Sequence, residues 1–297
     1  MTIKQCGIGA RTRGLGVAVA CVAGLCIATP AMAVDVDGVI TVDNAYGFGF
    51  GDVNGMTTSS YFGGIRNLTA GEITNGLPVL YTAGTANAGN GYRNLGVGPE
   101  AYDLNGLPAS DYMYLIGWSD DNVLQGAIAS FSVGAATIST NPGVGWEVYG
   151  TGIDRDSNIA GDTLTNDPAD IMLINDQIAL ANGNLGGAGT SRGWVDENGL
   201  LPNGSPGVGA LAFGDSNDGL PGGTHPFGVI NGIDGGAQWM WYNEDPATIA
   251  NPFDAGPEGP DGHHEFLIFR IPVSAIPAPG TAGVCLMGAL AACRRRR

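Results

Sequence analysis

Most apolar runs in the chain are short, alternate with polar positions, and end in turn residues. A period of two over four to eight residues marks a half-buried strand. On that basis strands are predicted at Val39–Val42, Leu77–Thr82, Asp111–Trp118, Leu124–Val133, Trp146–Tyr149, Gln238–Tyr242 and Glu265–Ile271. One segment follows the helical period instead. Ile171, Ile174, Ile178 and Ala181 share a face, Asp167 suits a cap, Pro168 suits the first turn, and Gly183 suits the end. The same residues also fit a hairpin turning at Asn175–Asp176, with strands Ile171–Ile174 and Gln177–Leu180; the helix is the reading adopted here. Many short strands and at most one or two short helices predict an all-β domain, a β-sandwich or jelly roll. From Asn182 to Gly236 turn-forming residues dominate, which predicts long loops.

Glycine density strengthens this reading. Between Val34 and Pro279, 43 of 246 residues are glycine, well over twice the ordinary usage of about 7%. Asn-Gly begins at positions 54, 75, 90, 105, 182, 198, 203 and 231, and Asp-Gly at 37, 218, 234 and 261, pairs that suit hairpin turns. The same glycine content and a high net charge also fit disorder. However, all 23 aromatic residues (5 Trp, 9 Tyr, 9 Phe) lie in this region, enough to build a core.

Charge divides the chain into three parts. All 28 acidic residues lie between Asp35 and Glu265, and the segment from Asp35 to Arg270 holds only five bases, a net charge of −23. Such a body repels phosphate, and no nucleic-acid partner is expected. All five cysteines (Cys6, Cys21, Cys26, Cys285, Cys293) sit in the end segments, so the body holds no disulfide, thiolate nucleophile or Cys-ligated zinc. At the front, Lys4, Arg11 and Arg13 precede an uncharged run from Gly14 to Pro30 that closes in Ala31-Met32-Ala33. That is the pattern of a secretory signal peptide spanning 1–33, with signal peptidase cutting after Ala33.

At the other end, Pro277-Ala278-Pro279-Gly280-Thr281 precedes an apolar stretch from Ala282 to Cys293 and then Arg294, Arg295, Arg296 and Arg297. As a helix, the 12 residues after Thr281 reach about 18 Å, and counting from Ile276 gives about 27 Å. Against a hydrocarbon core of about 30 Å this is a weak anchor, held on the cytoplasmic side by its arginines. The tail resembles that of bacterial PEP-CTERM proteins: a Pro-x-Pro-Gly-Thr-like motif, a short apolar helix and an arginine cluster. Ala278 stands where that family carries glutamate. The resemblance covers about 22 residues of the chain plus the signal peptide. It implies processing by an exosortase, transient anchoring in the inner membrane, and delivery to the cell envelope or extracellular matrix. The organisation expected is a signal peptide over 1–33, a β-sandwich domain over 34–275 and a sorting tail over 276–297.

Candidate chemistry in the body is sparse. Asp154, Asp156, Asn158 and Asp162 take positions 1, 3, 5 and 9 of a calcium-type loop, whose hard oxygen ligands suit Ca²⁺. Ile159 replaces the glycine and Thr165 the closing glutamate of that pattern, which equally fits a solvated acidic turn. Asp215, Asn217 and Asp218 form a second loop of this type. His263, His264 and Glu265 beside Asp261 hold metal-ligating side chains, yet strand neighbours point to opposite faces. Asp120, Asp121 and Glu147 lie close in sequence to Trp118 and Trp146, the elements of a glycosidase site whose geometry spacing alone does not supply. Trp239 and Trp241, two apart on one strand face, fit a stacking platform for matrix polysaccharide. The sequence thus leads to an exported, non-enzymatic structural or adhesive protein, with a carbohydrate-binding module or a secreted glycan hydrolase as alternatives.

Overall fold

The computed structural model describes residues 33–43, 45–66, 99–119, 124–153, 171–187, 189–218, 229–254 and 266–276. Alternation sets the first strand: Val36, Ile40 and Val42 are buried on one face, while Asp35 and Asp37 are exposed on the other. In chain order the elements are β1 (Val34–Asp43), β2 (Ala45–Asp52), β3 (Gly55–Arg66), β4 (Glu100–Leu107), β5 (Tyr112–Trp118), β6 (Gly126–Val133), β7 (Ala136–Ser139), β8 (Glu147–Gly150), α1 (Ile171–Asn182), β9 (Ala210–Ser216), β10 (Gln238–Asn243) and β11 (Phe266–Pro272). They form two antiparallel sheets. One runs β4-β1-β6-β10-β9 with β7 also paired to β6, and the other runs β3-β2-β5-β11-β8. The fold is a β-sandwich carrying one α-helix among the described residues.

The continuous apolar runs of β5 and β11 have a simple cause. Met113, Leu115, Leu267, Phe269 and Ile271 join the core between the sheets, while Tyr114, Ile116, Trp118, Phe266 and Ile268 join a second core on the outer face. There α1 contributes Ile174, Ile178 and Ala181. A strand that is buried on both faces reads as unbroken hydrophobic sequence. Close approach across the sandwich also explains a glycine within β5. A Cβ on Gly117 would lie 3.2 Å from the Trp241 ring of the opposite sheet.

The segment around 171–182 is a helix and not a hairpin. Asn175, the residue at which a hairpin would turn, sits mid-helix with its side-chain amide paired to the edge of β3. Its Oδ1 accepts from Met56 N at 3.0 Å and its Nδ2 donates to Met56 O at 2.8 Å. The helix ends at Asn182, directly before Gly183 as expected, while the left-handed position of the cap falls on Asn184. Asn184 takes the left-handed conformation (φ 51°), Leu185 N donates to Leu180 O and Asn184 N to Ala181 O, the double bond of a Schellman cap.

Several elements depart from the sequence reading. β2, β3, β4 and β7 are absent from the sequence reading; in β2, Tyr46-Gly-Phe48-Gly-Phe50 alternates aromatic residues with glycine and reads as turn-rich. Tyr46 and Phe48 nevertheless point into the core. Asn105-Gly106 is a bulge within β4 and not a turn: the β1 register shifts between Val34 and Val36, and Gly106 (φ 72°) donates its N–H to Asp35 Oδ1 at 2.9 Å. The 182–236 stretch contains β9 besides its loops. Leu77–Thr82, the N-terminal signal helix and the C-terminal anchor helix lie outside the described residues.

Burial holds several tyrosine hydroxyls protonated. Desolvation raises Tyr149 to about 12 and lifts Tyr114 and Tyr242 further, while Tyr46 is raised first by burial and then by Glu100. The Tyr114, Tyr149 and Tyr242 hydroxyls each donate to a main-chain carbonyl, of Asp52, Leu185 and Val208 respectively. The unfolded chain ionises these groups near pH 10, earlier than the fold does. The unfolded state therefore loses protons first, and stability must fall as pH rises above about 10, by up to about 1.4 kcal/mol per pH unit for each such tyrosine. Tyrosinate absorbance from these residues is expected to appear together with loss of near-ultraviolet circular dichroism; their ionisation within an intact fold would contradict it.

Candidate functional site

Trp239 and Trp241 are fully buried, and Trp118, Trp146 and Trp194 are at most 2% exposed. The stacking-platform reading is therefore corrected: Trp241 packs against Phe269 across the sandwich, 5.9 Å between ring centroids, and presents no face to a sugar. Both neighbours along the strand, Met240 and Tyr242, are buried as well, so β10 has no solvent face on which an aromatic platform could form.

The acidic loop at 215–218 is also diverted from metal binding. Asn217 is buried and donates through Nδ2 to Ile230 O and Ile233 O, at 3.0 and 2.9 Å, while its Oδ1 accepts from Ile230 N at 2.7 Å. Asp218 accepts from the Ser216 hydroxyl. Among the described residues no group of three or more His, Cys, Asp or Glu side chains is placed to hold a metal. Asp154, Asp156, Asn158, Asp162, Asp120, Asp121, Asp261, His263, His264 and Glu265 lie outside the described residues, as do Pro277, Ala278, Pro279, Gly280, Thr281 and Arg294, Arg295, Arg296 and Arg297.

The densest polar chemistry surrounds Arg270, a residue the sequence did not single out. Strand β11 carries this guanidinium on its outer face, only 4% exposed. A buried cation needs partners for both charge and N–H groups. Glu147 on the neighbouring β8 supplies the charge, with Arg270 Nε donating to its Oε2 at 2.6 Å. Asn182, the last residue of α1, supplies Oδ1 to Arg270 Nη1 at 3.1 Å and to Trp194 Nε1 at 2.8 Å. Its Nδ2 donates to Val53 O in the β2–β3 turn at 2.6 Å. The guanidinium carbon stands 4.0 Å from the Trp194 ring centroid and 4.7 Å from that of Tyr112, a cation–π arrangement on two rings. Glu147, one of the carboxylates weighed for glycoside hydrolysis, is thus engaged as a counter-ion.

A second polar cluster crosses the sandwich. The Tyr46 hydroxyl on β2 donates to Glu100 Oε2 on β4 at 2.6 Å and lies 2.7 Å from the Tyr102 hydroxyl. This chain of buried polar groups joins the two sheets near their β3/β4 side.

A cleft of about 430 Å³ opens beside the β2–β3 turn, lined among others by Asp52, Met56, Ser60, Asp111 and Asn175. Partial burial, and then the nearby Asp52 charge, raise the Asp111 carboxyl above its usual range, while a Ser110 hydrogen bond opposes this. Two like charges at one mouth are a cost to the fold and no catalytic geometry by themselves.

Arg270→Ala is expected to destabilise the domain by about 3–5 kcal/mol, because Glu147 is left unpaired and α1 loses its anchor. Denaturant unfolding combined with limited proteolysis of the 183–208 segment measures this; a loss below about 1 kcal/mol, the size of an exposed ion pair, would show that the cluster is ornamental. Asp111→Asn is expected to raise the melting temperature at neutral pH, with the gain vanishing at acid pH, where the wild-type carboxyl is protonated in both states. An equal gain at both pH values would locate its cause elsewhere. Comparison with protein-family models, with characterised proteins and with solved structures yields no match to this chain.

Proposed function

We propose that the chain is an exported bacterial envelope or matrix protein, sorted through its PEP-CTERM-like tail, whose body has a non-enzymatic structural or adhesive role. One observation carries this reading: the folded body fits between the two addressing segments almost without spare residues. Strand β1 starts at Val34, directly after the expected signal cleavage at Ala33. At the other end Ile276, 4% exposed, still belongs to the core, and Pro277 opens the sorting motif. Among the described residues no helix is long and apolar enough to cross a membrane. In this reading the segment after Thr281 is the temporary anchor, and signal peptidase and an exosortase are the processing partners.

The composition of the body supports the same role. A −23 segment without cysteine stays soluble and needs no oxidative folding once exported. Burial of all five tryptophans removes the feature on which the carbohydrate-binding alternative stood.

Intact-mass analysis of the protein purified from its native envelope is expected to show an N-terminus at Val34 and the absence of Arg294–Arg297. Mature material that retains the arginine tail would remove the exosortase step.

A further inference from the structure

Strand register shows where the chain enters and leaves the sandwich. Val34, the first residue of β1, pairs with Leu107 at the end of β4. Pro272, the last residue of β11, pairs with Tyr112 at the start of β5. Leu107 and Tyr112 are joined by the four-residue turn Pro108–Asp111, which crosses from one sheet to the other. The two ends of the folded body thus flank a single turn at one pole. Val273 N donates to Asp111 O at 2.8 Å, fastening the exit to that turn. With sheets about 10 Å apart and paired strands about 5 Å apart, the two ends lie within roughly 20 Å of each other.

The opposite pole is equally well defined. Asp43 pairs with Gly126 there, and Trp118 with Phe266. Leu124 bridges to Asp254, placing the 251–254 segment at that end too. Strands of seven to ten residues separate the poles by about 25 Å.

We infer that the pole formed by Val34, the Pro108–Asp111 turn and Ile276 faces the membrane during sorting, and that the Trp118/Phe266 pole is presented outward. The inference rests on the export and anchoring reading above. Both addressing segments leave from the same pole, so the sandwich closes completely while either or both remain in the bilayer. The reach is short. Pro277–Thr281, even fully extended, spans only about 17 Å between the last core residue and the apolar segment. The pole is also acidic: Asp35 stands at the start of β1, Asp52 at the end of β2 and Asp111 in the turn before β5, and neither the 52–55 nor the 108–111 turn carries a base. Anionic headgroups repel such a surface, so the body stands above the bilayer on its tether instead of lying on it. The outward pole is then the face available to matrix partners.

The test uses the full chain in a bacterial host without exosortase, with the native cysteines replaced by serine. A single fluorophore is placed through Ser110→Cys or Ala135→Cys at the near pole, and through Asp254→Cys or Ala247→Cys at the far one, all four being exposed turn or loop residues. Vesicles carrying a quencher on the lipid headgroup are the probe. Quenching at the near-pole positions is expected to exceed that at the far-pole positions at least threefold. Equal or reversed quenching in membrane-bound protein overturns the orientation and leaves the export reading standing. A chain that fractionates away from membranes with its tail intact overturns both. The two variants at each pole guard against one substitution disturbing the fold.

Discussion

A guanidinium buried on the outer face of a β-sheet has to find a counter-charge and hydrogen-bond acceptors in the protein, because water no longer supplies them. In this molecule Arg270 imposes that requirement, and four separate stretches of chain meet it: Glu147 from β8, Asn182 from the end of α1, Trp194 from the following loop and Tyr112 from β5. Asn182 is the most connected of them, since its amide also holds the β2–β3 turn through Val53 O. The cluster therefore decides where the helix ends against the sheet. It also holds Trp194 of the loop that follows the helix.

The second core follows from the same arrangement. A two-sheet sandwich needs only one buried layer, yet here the central strands β5 and β11 are covered on both faces. The helix supplies Ile174, Ile178 and Ala181, and the loop supplies Trp194, which lies 6.0 Å from Tyr149 and 6.3 Å from Tyr114 between ring centroids. Aromatic residues of both cores thus become interior material. That explains how a body with so many tryptophans and tyrosines shows no aromatic platform among its described residues.

In the reading proposed for this chain, the fold serves a protein handled at both ends. The first and last strands of the described body are each flanked by two others, β1 by β4 and β6, and β11 by β5 and β8, so the chain enters and leaves next to well-supported parts of the sandwich. Pulling on either end loads paired strands. A structural or adhesive protein benefits from this placement, and the cysteine-free body reaches it without a disulfide.

The β-sandwich class, the strands β5, β6, β8, β10 and β11, and the helical face of Ile171, Ile174, Ile178 and Ala181 were all legible in the linear pattern, because side-chain period reports which backbone geometry buries an apolar set. The proposed addressing segments rest on charge and apolar length alone, which act locally. Strand β2 was hidden by its glycines, which signal turns unless a partner strand pairs them, and the Asn105-Gly106 bulge was hidden because the same dipeptide serves turns and bulges alike. A lone arginine in the apolar run Phe266–Ile271 was a visible oddity, but its partners lie 123 and 88 residues away along the chain. Local periodicity thus settled the type of the strongly patterned segments. Which tryptophans face inward, which carboxylate answers Arg270, and at which pole the ends meet were decided only by long-range packing, since burial and pairing depend on neighbours that no local window contains.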